Sequence, residues 1–413
     1  MQEVSKYAVG IDVGTTTVRC VVGHIDSTTG APTIVGVGIA QNSGMRKGTV
    51  IHLDGPSQAI DDALGEAERM SGYQVDSATI SINGSHIVST HADGMVAVSG
   101  SNHEITSDDL ARIEEVSTVG KIPANREILE FIPHFYKLDS QDNIKNPLGM
   151  TGTRLEVDAH IVSVLDPHFS NLQKVAQKVN VFPKVVVVAG VAAARAVLTE
   201  KQVENGVALI DIGGFTTNIA IYEEGDLQYV AVIPIGGNNI TNDLAIGLKT
   251  DPEIAEKLKI EHASAIFGHD SSGVSLKYND QIYNFNMSEI DEIIEARLEE
   301  LFELINKEIK RAGRLGKLPN GVVLTGGTAQ LKGICEYAKE ALGVAVRIGE
   351  VADYGGVGDD IKKPQFATAI GLMLIDAETG NYGGKNMGGK LKTKKMLSDG
   401  PGRFSKFFGR FKI

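Results

Sequence analysis

Two stretches of this chain carry the same phrase. Tyr7 to Val22 reads YAVGIDVGTTTVRCVV, and Val207 to Ile221 reads VALIDIGGFTTNIAI. Each joins an apolar, β-branched run to an Asp, a Gly turn, a Thr cluster and a second apolar run, the pattern of a strand, a tight turn and a returning strand. The two aspartates, Asp12 and Asp211, lie 199 positions apart. Repetition at that spacing predicts two related α/β halves facing each other across a cleft.

The segments between and after the hairpins fill in this plan. From Phe182 a buried strand feeds an Ala-rich helix, through Val185-Val-Val-Val-Ala-Gly190 to Leu198. Gly321 to Leu342 reads as strand, Thr325-Gly-Gly327-Thr328, then helix. Asn83 to about His160 belongs to neither hairpin and reads as an inserted subdomain. Its expected parts are short strands at Met95 to Val98 and Leu129 to Tyr136, and a helix capped by Thr106 with Asp109 three residues on. Asp139 to Gly152, polar with Pro and Gly, is expected to be loop. A long amphipathic helix is expected after Ser288 as its cap, with Ile290, Ile294, Leu298, Leu301 and Ile305 on one face.

The turns suggest phosphate chemistry. No Gly-x-x-x-x-Gly-Lys-Ser/Thr motif is present, which excludes a P-loop. Gly14, Gly213 and Gly214 allow the backbone to turn tightly beside a ligand, and N–H groups in such turns bind anions. Thr15, Thr16, Thr216 and Thr217 add hydroxyls. Asp12 and Asp211 end their strands at one mouth, where paired carboxylates beside phosphates suit Mg²⁺ held through water. Thr325-Gly326-Gly327-Thr328 stands at a third junction. The 10 histidines are scattered, and no Ser/His/Asp grouping offers competing chemistry.

These residues together resemble the actin, hexokinase and heat-shock-chaperone ATPase superfamily, whose two lobes clamp ATP. The phrases at Asp12 and Asp211 match its phosphate hairpins, and Val322 to Thr328 matches its adenosine motif. Val187 to Leu198 and Ala367 to Leu374 match its connecting helices. Gly236 and Gly237 match an additional turn near the nucleotide, and Glu256 and Lys259 a helix flanking the adenosine. The inserted segment and the Ile233-Pro-Ile-Gly-Gly turn with Thr241 and Asp243 sharpen the resemblance to the FtsA family of bacterial cell-division proteins.

That resemblance implies an actin-like two-lobe ATPase fold of duplicated ribonuclease-H-like domains, with an inserted subdomain 1C. It implies subdomain 1A at 1–83, 163–199 and 362–379, 1C at 84–162, 2A at 200–230 and 314–361, and 2B at 231–313. A flexible linker at 380–400 and an amphipathic helix at 401–413 follow. It also implies ATP and Mg²⁺ as ligands, self-assembly into filaments, recruitment of later division proteins, and the C-terminal peptide of the tubulin-like FtsZ as partner, with Arg297 at the matching basic position. The chaperone pattern's catalytic Glu and Asp are replaced by Ala189 and Asn218, so ATP binding is expected with slow hydrolysis at best. Other actin-like scaffolds remain as alternatives: a PilM-like pilus protein, expected to lack the basic tail, and an MreB-like protein, expected to carry Glu at position 189. A small-molecule kinase of the superfamily would need an Asp base in a substrate cleft.

Charge distribution bears on the partners. The net charge is −12, yet residues 380 to 413 carry nine Lys/Arg and one Asp, leaving −20 on the rest. An acidic body is repelled by nucleic acid, which is not expected as a partner, whereas the tail is drawn to anionic surfaces. Phe404, Phe407, Phe408 and Phe411 recur at helical spacing, with Arg403, Lys406 and Arg410 opposite. A basic helix with an aromatic face is an interfacial anchor for anionic lipid, and the family resemblance implies a peripheral location at the cytoplasmic face of the membrane, at the division site. The longest apolar run, Val185 to Ala194, has ten residues, about half of a bilayer span. Cys20 and Cys335 match no metal-ligand spacing and fit a reducing compartment.

Overall fold

A computed structural model describes residues 6–100, 102–268, 273–356 and 359–379. Two five-stranded sheets share one topology. In the first, Lys6–Val13, Thr17–Ile25 and Pro32–Gln41 form an antiparallel meander, and Ser77–Ile82 and Phe182–Val188 add in parallel on the other side. In the second, Val207–Ile212, Thr217–Glu223 and Asp226–Ile233 form the meander, and Val322–Thr325 and Val346–Ile348 add in parallel. The repeated phrase therefore occupies the same place in each lobe. The register pairs Asp12 with Arg19 and Asp211 with Asn218.

The central strands are nearly continuous runs of Val, Ile and Ala because helices or the other lobe cover them. The two helices that join the lobes, Ala189–Val197 and Ala367–Glu378, are buried along most of their length. They pack backbone to backbone: a Cβ on Gly371 would lie 1.7 Å from the Ala192 carbonyl oxygen, and only glycine permits that crossing. Helix Ala367–Glu378 is fixed by Asp376. Its carboxylate accepts from the Val9 amide at 2.8 Å, the Thr79 hydroxyl at 2.9 Å and the Lys184 ammonium at 2.9 Å.

The inserted subdomain leaves the first lobe after Ile82. Val88–Ala97, Arg154–Leu165, Arg126–Leu138 and Gln141–Ile144 form an antiparallel sheet, in that order, covered by helix Ser107–Thr118. The Thr106–Asp109 capping box forms as expected. The strands run longer than the sequence pattern suggests, and Gln141–Ile144 lies within the stretch expected to be loop. That strand is a polar edge closed by a turn with Asp139 at φ +53°, so it carries no apolar alternation to read.

Helix Met287–Arg311 packs its Ile and Leu face on the second lobe, but its cap is Asn286 rather than Ser288. Strand Gln281–Asn286 runs directly into the helix, and the Asn286 side chain accepts from the Ser288 amide at 3.0 Å. Cys20 is buried and Cys335 only partly so. The expected linker and tail helix, 380–413, lie outside the described residues. Among the described residues no helix is long and apolar enough to cross a membrane.

The buried Asp376–Lys184 pair gives a direct test of how the closing helix is held. Lys184→Met would leave a buried carboxylate without its cation and should destabilise the protein by about 3–5 kcal/mol. Urea unfolding measures this; a loss below ~1 kcal/mol would show that the pair does not hold the helix.

Candidate functional site

The topology brings both hairpin turns to one cleft. Asp12 ends Lys6–Val13, and its Oδ1 accepts from the Ser81 hydroxyl at 2.9 Å. Burial pushes its carboxyl above the usual range, while Arg19 and Ser81 oppose the shift. Asp211 ends Val207–Ile212, and its Oδ2 accepts from the Asn218 amide at 3.2 Å. Its pKa is pushed from 3.8 up to about 7, first by burial and then by the charge of Asp12, against Asn218, Arg19 and Thr368. Asp211 thus feels the charge of Asp12 across the cleft. Arg19 feels both, and burial lowers its own pKa.

The glycine turns nest together around Asp211. The Gly213 carbonyl accepts from the Gly237 amide at 2.9 Å and from the Thr328 hydroxyl at 3.0 Å. The Gly214 carbonyl accepts from the Asn238 amide at 2.7 Å. Gly236 precedes helix Gly237–Gly247, whose N-terminus opens here. Gly326, at φ +87°, passes so close to Asp211 that a Cβ would lie 2.4 Å from Oδ1. Gly327 lies beside it, starting the 3₁₀ turn Gly327–Gln330.

The threonines divide by role. Thr216 is 4% exposed, and its Oγ1 accepts from the Asn83 amide of the other lobe at 3.0 Å. The Thr15 Oγ1 accepts from the Gly48 amide at 2.9 Å. The Thr16 side chain lies against the Gly214 turn. Thr217 is fully buried and donates to the Ile235 carbonyl at 2.8 Å, so its hydroxyl fastens the Gly236–Gly237 turn instead of facing the cleft.

Glu256 and Lys259 lie on helix Pro252–His262. The Lys259 ammonium donates to Glu256 at 2.6 Å, to the Thr241 hydroxyl at 2.8 Å and to the Gly237 carbonyl at 3.2 Å. The pair is therefore joined to the Gly236–Gly237 turn, and is not a solvated surface ion pair. Arg297, on helix Met287–Arg311, grips Asp243 through Nε at 2.5 Å and Nη2 at 3.0 Å, and also meets Glu300. It stands apart from the phosphate turns.

The donor set suits a hydrated divalent cation. Asp12 and Asp211 supply two carboxylates, and the buried Asn218 Oδ1 beside Asp211 has no hydrogen-bond partner. That leaves an acceptor for metal-bound water. Two residues of the candidate site escaped the sequence reading. Arg19 was visible only as a basic residue in an apolar strand, and its register opposite Asp12 in the hairpin places it on the same face. Asn83 gave no signal, because its partner Thr216 is 133 positions away.

The fold and site define an actin-like protein of two lobes. It is similar to the solved PilM of the PilM–PilN type IV pilus biogenesis complex, at 16% identity and a TM-score of 0.66 over 90% of this chain and 98% of that one. It is likewise similar to MreB5 of Spiroplasma citri bound to ADP, at 13% identity and 0.54 over 91% and 97%. Family models for "Cell division protein FtsA" match residues 208–371 and for "SHS2 domain inserted in FTSA" residues 84–163. Cell division protein FtsA of Pseudomonas aeruginosa is 34% identical over 373 residues, 89% of each chain. That of Bacillus subtilis is 34% identical over 387 residues, 93% of this chain and 86% of its own. The chain belongs to the FtsA family of cell-division proteins.

Asp211 gives the site a pH signature. Its folded pKa lies above its unfolded one, so the neutral form stabilises the ligand-free fold below about pH 4, and that contribution is lost as pH rises through about 7. A divalent cation favours the ionised form. The gain in thermal midpoint from Mg²⁺-nucleotide should therefore be larger at pH 8 than at pH 6 in the natural sequence and less dependent on pH in Asp211→Asn, where Asp12 is the remaining carboxyl of the pair. Equal gains at both pH values in the natural sequence would contradict this assignment.

Proposed function

We propose that this protein binds ATP with Mg²⁺ between its lobes, assembles into filaments on the cytoplasmic membrane, and tethers the FtsZ ring there while helping to recruit later division proteins. The observation that carries the nucleotide reading is the facing of two equivalent glycine turns, with Asp12 and Asp211 at one cleft. The similar MreB5 was solved with ADP, which supports the same reading.

In this reading the amides of Gly14 to Thr16 and Gly214 to Thr216 bind phosphates, with Arg19 supplying positive charge, while the Gly213 amide closes its turn on the Thr216 carbonyl at 2.9 Å. Asp12, Asp211 and Asn218 orient the waters of Mg²⁺, which offsets phosphate charge when bound. Gly326, Gly327, Thr328, Gly236 and Gly237, with Glu256 and Lys259, frame the nucleoside. Hydrolysis is slow because Ala189, 2% exposed, and Asn218 offer no strong base where the related ATPases use carboxylates.

The membrane reading rests on the sequence of the tail. Phe404, Phe407, Phe408 and Phe411 would each contribute a fraction of the roughly 1.5–3 kcal/mol of full Phe burial. Each of Arg403, Lys406 and Arg410 would add about 1 kcal/mol on anionic lipid. One tail binds reversibly, and many tails on one filament bind firmly through effective concentration. Arg297 is proposed to take an acidic group of the FtsZ C-terminal peptide, in competition with Asp243 and Glu300.

Co-sedimentation with anionic liposomes and Mg²⁺-ATP tests the tether. The intact chain should pellet and a chain ending at Asp399 should stay in solution. If both behave alike, the tail is not the anchor and a soluble actin-like scaffold becomes the better account.

A further inference from the structure

The inserted subdomain is joined to the first lobe by two short crossings, 83–87 outward and 163–166 back. The outward crossing begins at Asn83, one residue after strand Ser77–Ile82 ends. Its side-chain carbonyl accepts from the Gly84 amide at 2.7 Å, which fixes the orientation of the amide group. The NH₂ therefore points across the cleft, where it donates to Thr216 Oγ1 of the second phosphate turn at 3.0 Å.

The backbone of Asn83 points the other way, toward the insert. Its carbonyl accepts from His86 Nε2 at 3.0 Å. Burial and His168 hold the His86 pKa down to about 4, so the ring is neutral at physiological pH with its proton on Nε2. His86 stacks on His168 with ring centroids 4.3 Å apart. Arg126, at the start of the central strand Arg126–Leu138, grips both crossings. It donates to the His86 carbonyl at 2.5 Å, to the Ser163 carbonyl at 2.9 Å and to the Ser163 hydroxyl at 3.0 Å. The first phosphate turn presses on the same place. Gly48, whose amide donates to Thr15 Oγ1, approaches so closely that a Cβ would lie 2.7 Å from the Gly84 nitrogen.

We propose that Asn83 is a positioning residue that couples occupancy of the phosphate site to the placement of the inserted subdomain. The inference rests on the nucleotide reading above and deepens it. A Thr216 hydroxyl that accepts from Asn83 still has its own proton to donate, and a phosphate oxygen is the acceptor its turn is shaped to hold. Phosphate binding and the Asn83 bond therefore favour the same Thr216 position, and each stabilises the other. Through His86 and Arg126 that position is rigidly joined to the central strand of the insert.

The test combines nucleotide affinity with hydrogen exchange in the full chain. In the natural sequence, Mg²⁺-ATP should slow amide exchange in 126–138 and 154–165 as well as in the two phosphate turns. Asn83→Ala should bind Mg²⁺-ATP about 3- to 10-fold more weakly, the usual effect of losing one neutral hydrogen bond. At saturating nucleotide it should protect the phosphate turns but no longer the insert. Unchanged thermal midpoints of Asn83→Ala without nucleotide, together with retained protection of its phosphate turns, would exclude misfolding. Full protection of the insert in saturated Asn83→Ala would overturn the coupling while leaving the nucleotide site standing. Absence of Mg²⁺-ATP binding by the natural sequence would overturn both.

Discussion

Two carboxylates at one cleft, Asp12 half-buried and Asp211 buried, repel, and the fold spends much of its construction on holding them there. Asp12 and Asp211 end equivalent strands of two sheets with the same topology, so the duplication itself delivers them to one place. Arg19 lies within the field of both, and Ser81 and Asn218 supply further donors. The compensation is incomplete, since Asp211 still titrates near 7. Such a site favours a divalent cation, which would relieve the repulsion, and phosphates, which the adjoining glycine turns can approach.

The lobes can serve that site only if they are joined firmly but compliantly. Helices Ala189–Val197 and Ala367–Glu378 make the joint and pack on each other by glycine-permitted contact, and Asp376 fastens the second of them to the strands of the first lobe. Across the cleft itself the described contacts are lighter, and the Asn83–Thr216 bond is one of them. A firm joint at the base and a few polar contacts between the lobes, among them Asn83–Thr216 and the Lys145–Asp226 ion pair at 2.8 Å from the inserted subdomain, is an arrangement that ligand binding can bias.

Much of the site was legible because turns of this kind tolerate few residues. At Gly14, Gly213 and Gly214 a Cβ would lie 2.6, 3.1 and 2.9 Å from atoms of Thr17, Thr216 and Asn238, so the turns restrict their residues and the sequence announces them, with an aspartate at the end of each incoming strand. The capping box at Thr106 was legible for the same local reason. What escaped reading depends on contacts distant in sequence. Asn83 meets Thr216 only after both lobes form. Thr217 was grouped with its neighbours as a ligand-facing hydroxyl, yet alternation along the strand turns it toward Ile235. Ser288 and Asn286 are both good caps, and only the strand running into the helix decides between them.

The central claim is that the two glycine turns hold the phosphates of one nucleotide. A crystal structure with Mg²⁺ and a non-hydrolysable ATP analogue tests it most directly. The account predicts phosphate density between the amides of 14–16 and 214–216, with the cation's waters on Asp12 and Asp211. Nucleotide bound elsewhere, for example in the shallow depression lined by Gln330, Cys335, Ile348 and Pro364, with the two turns unaltered, would contradict it.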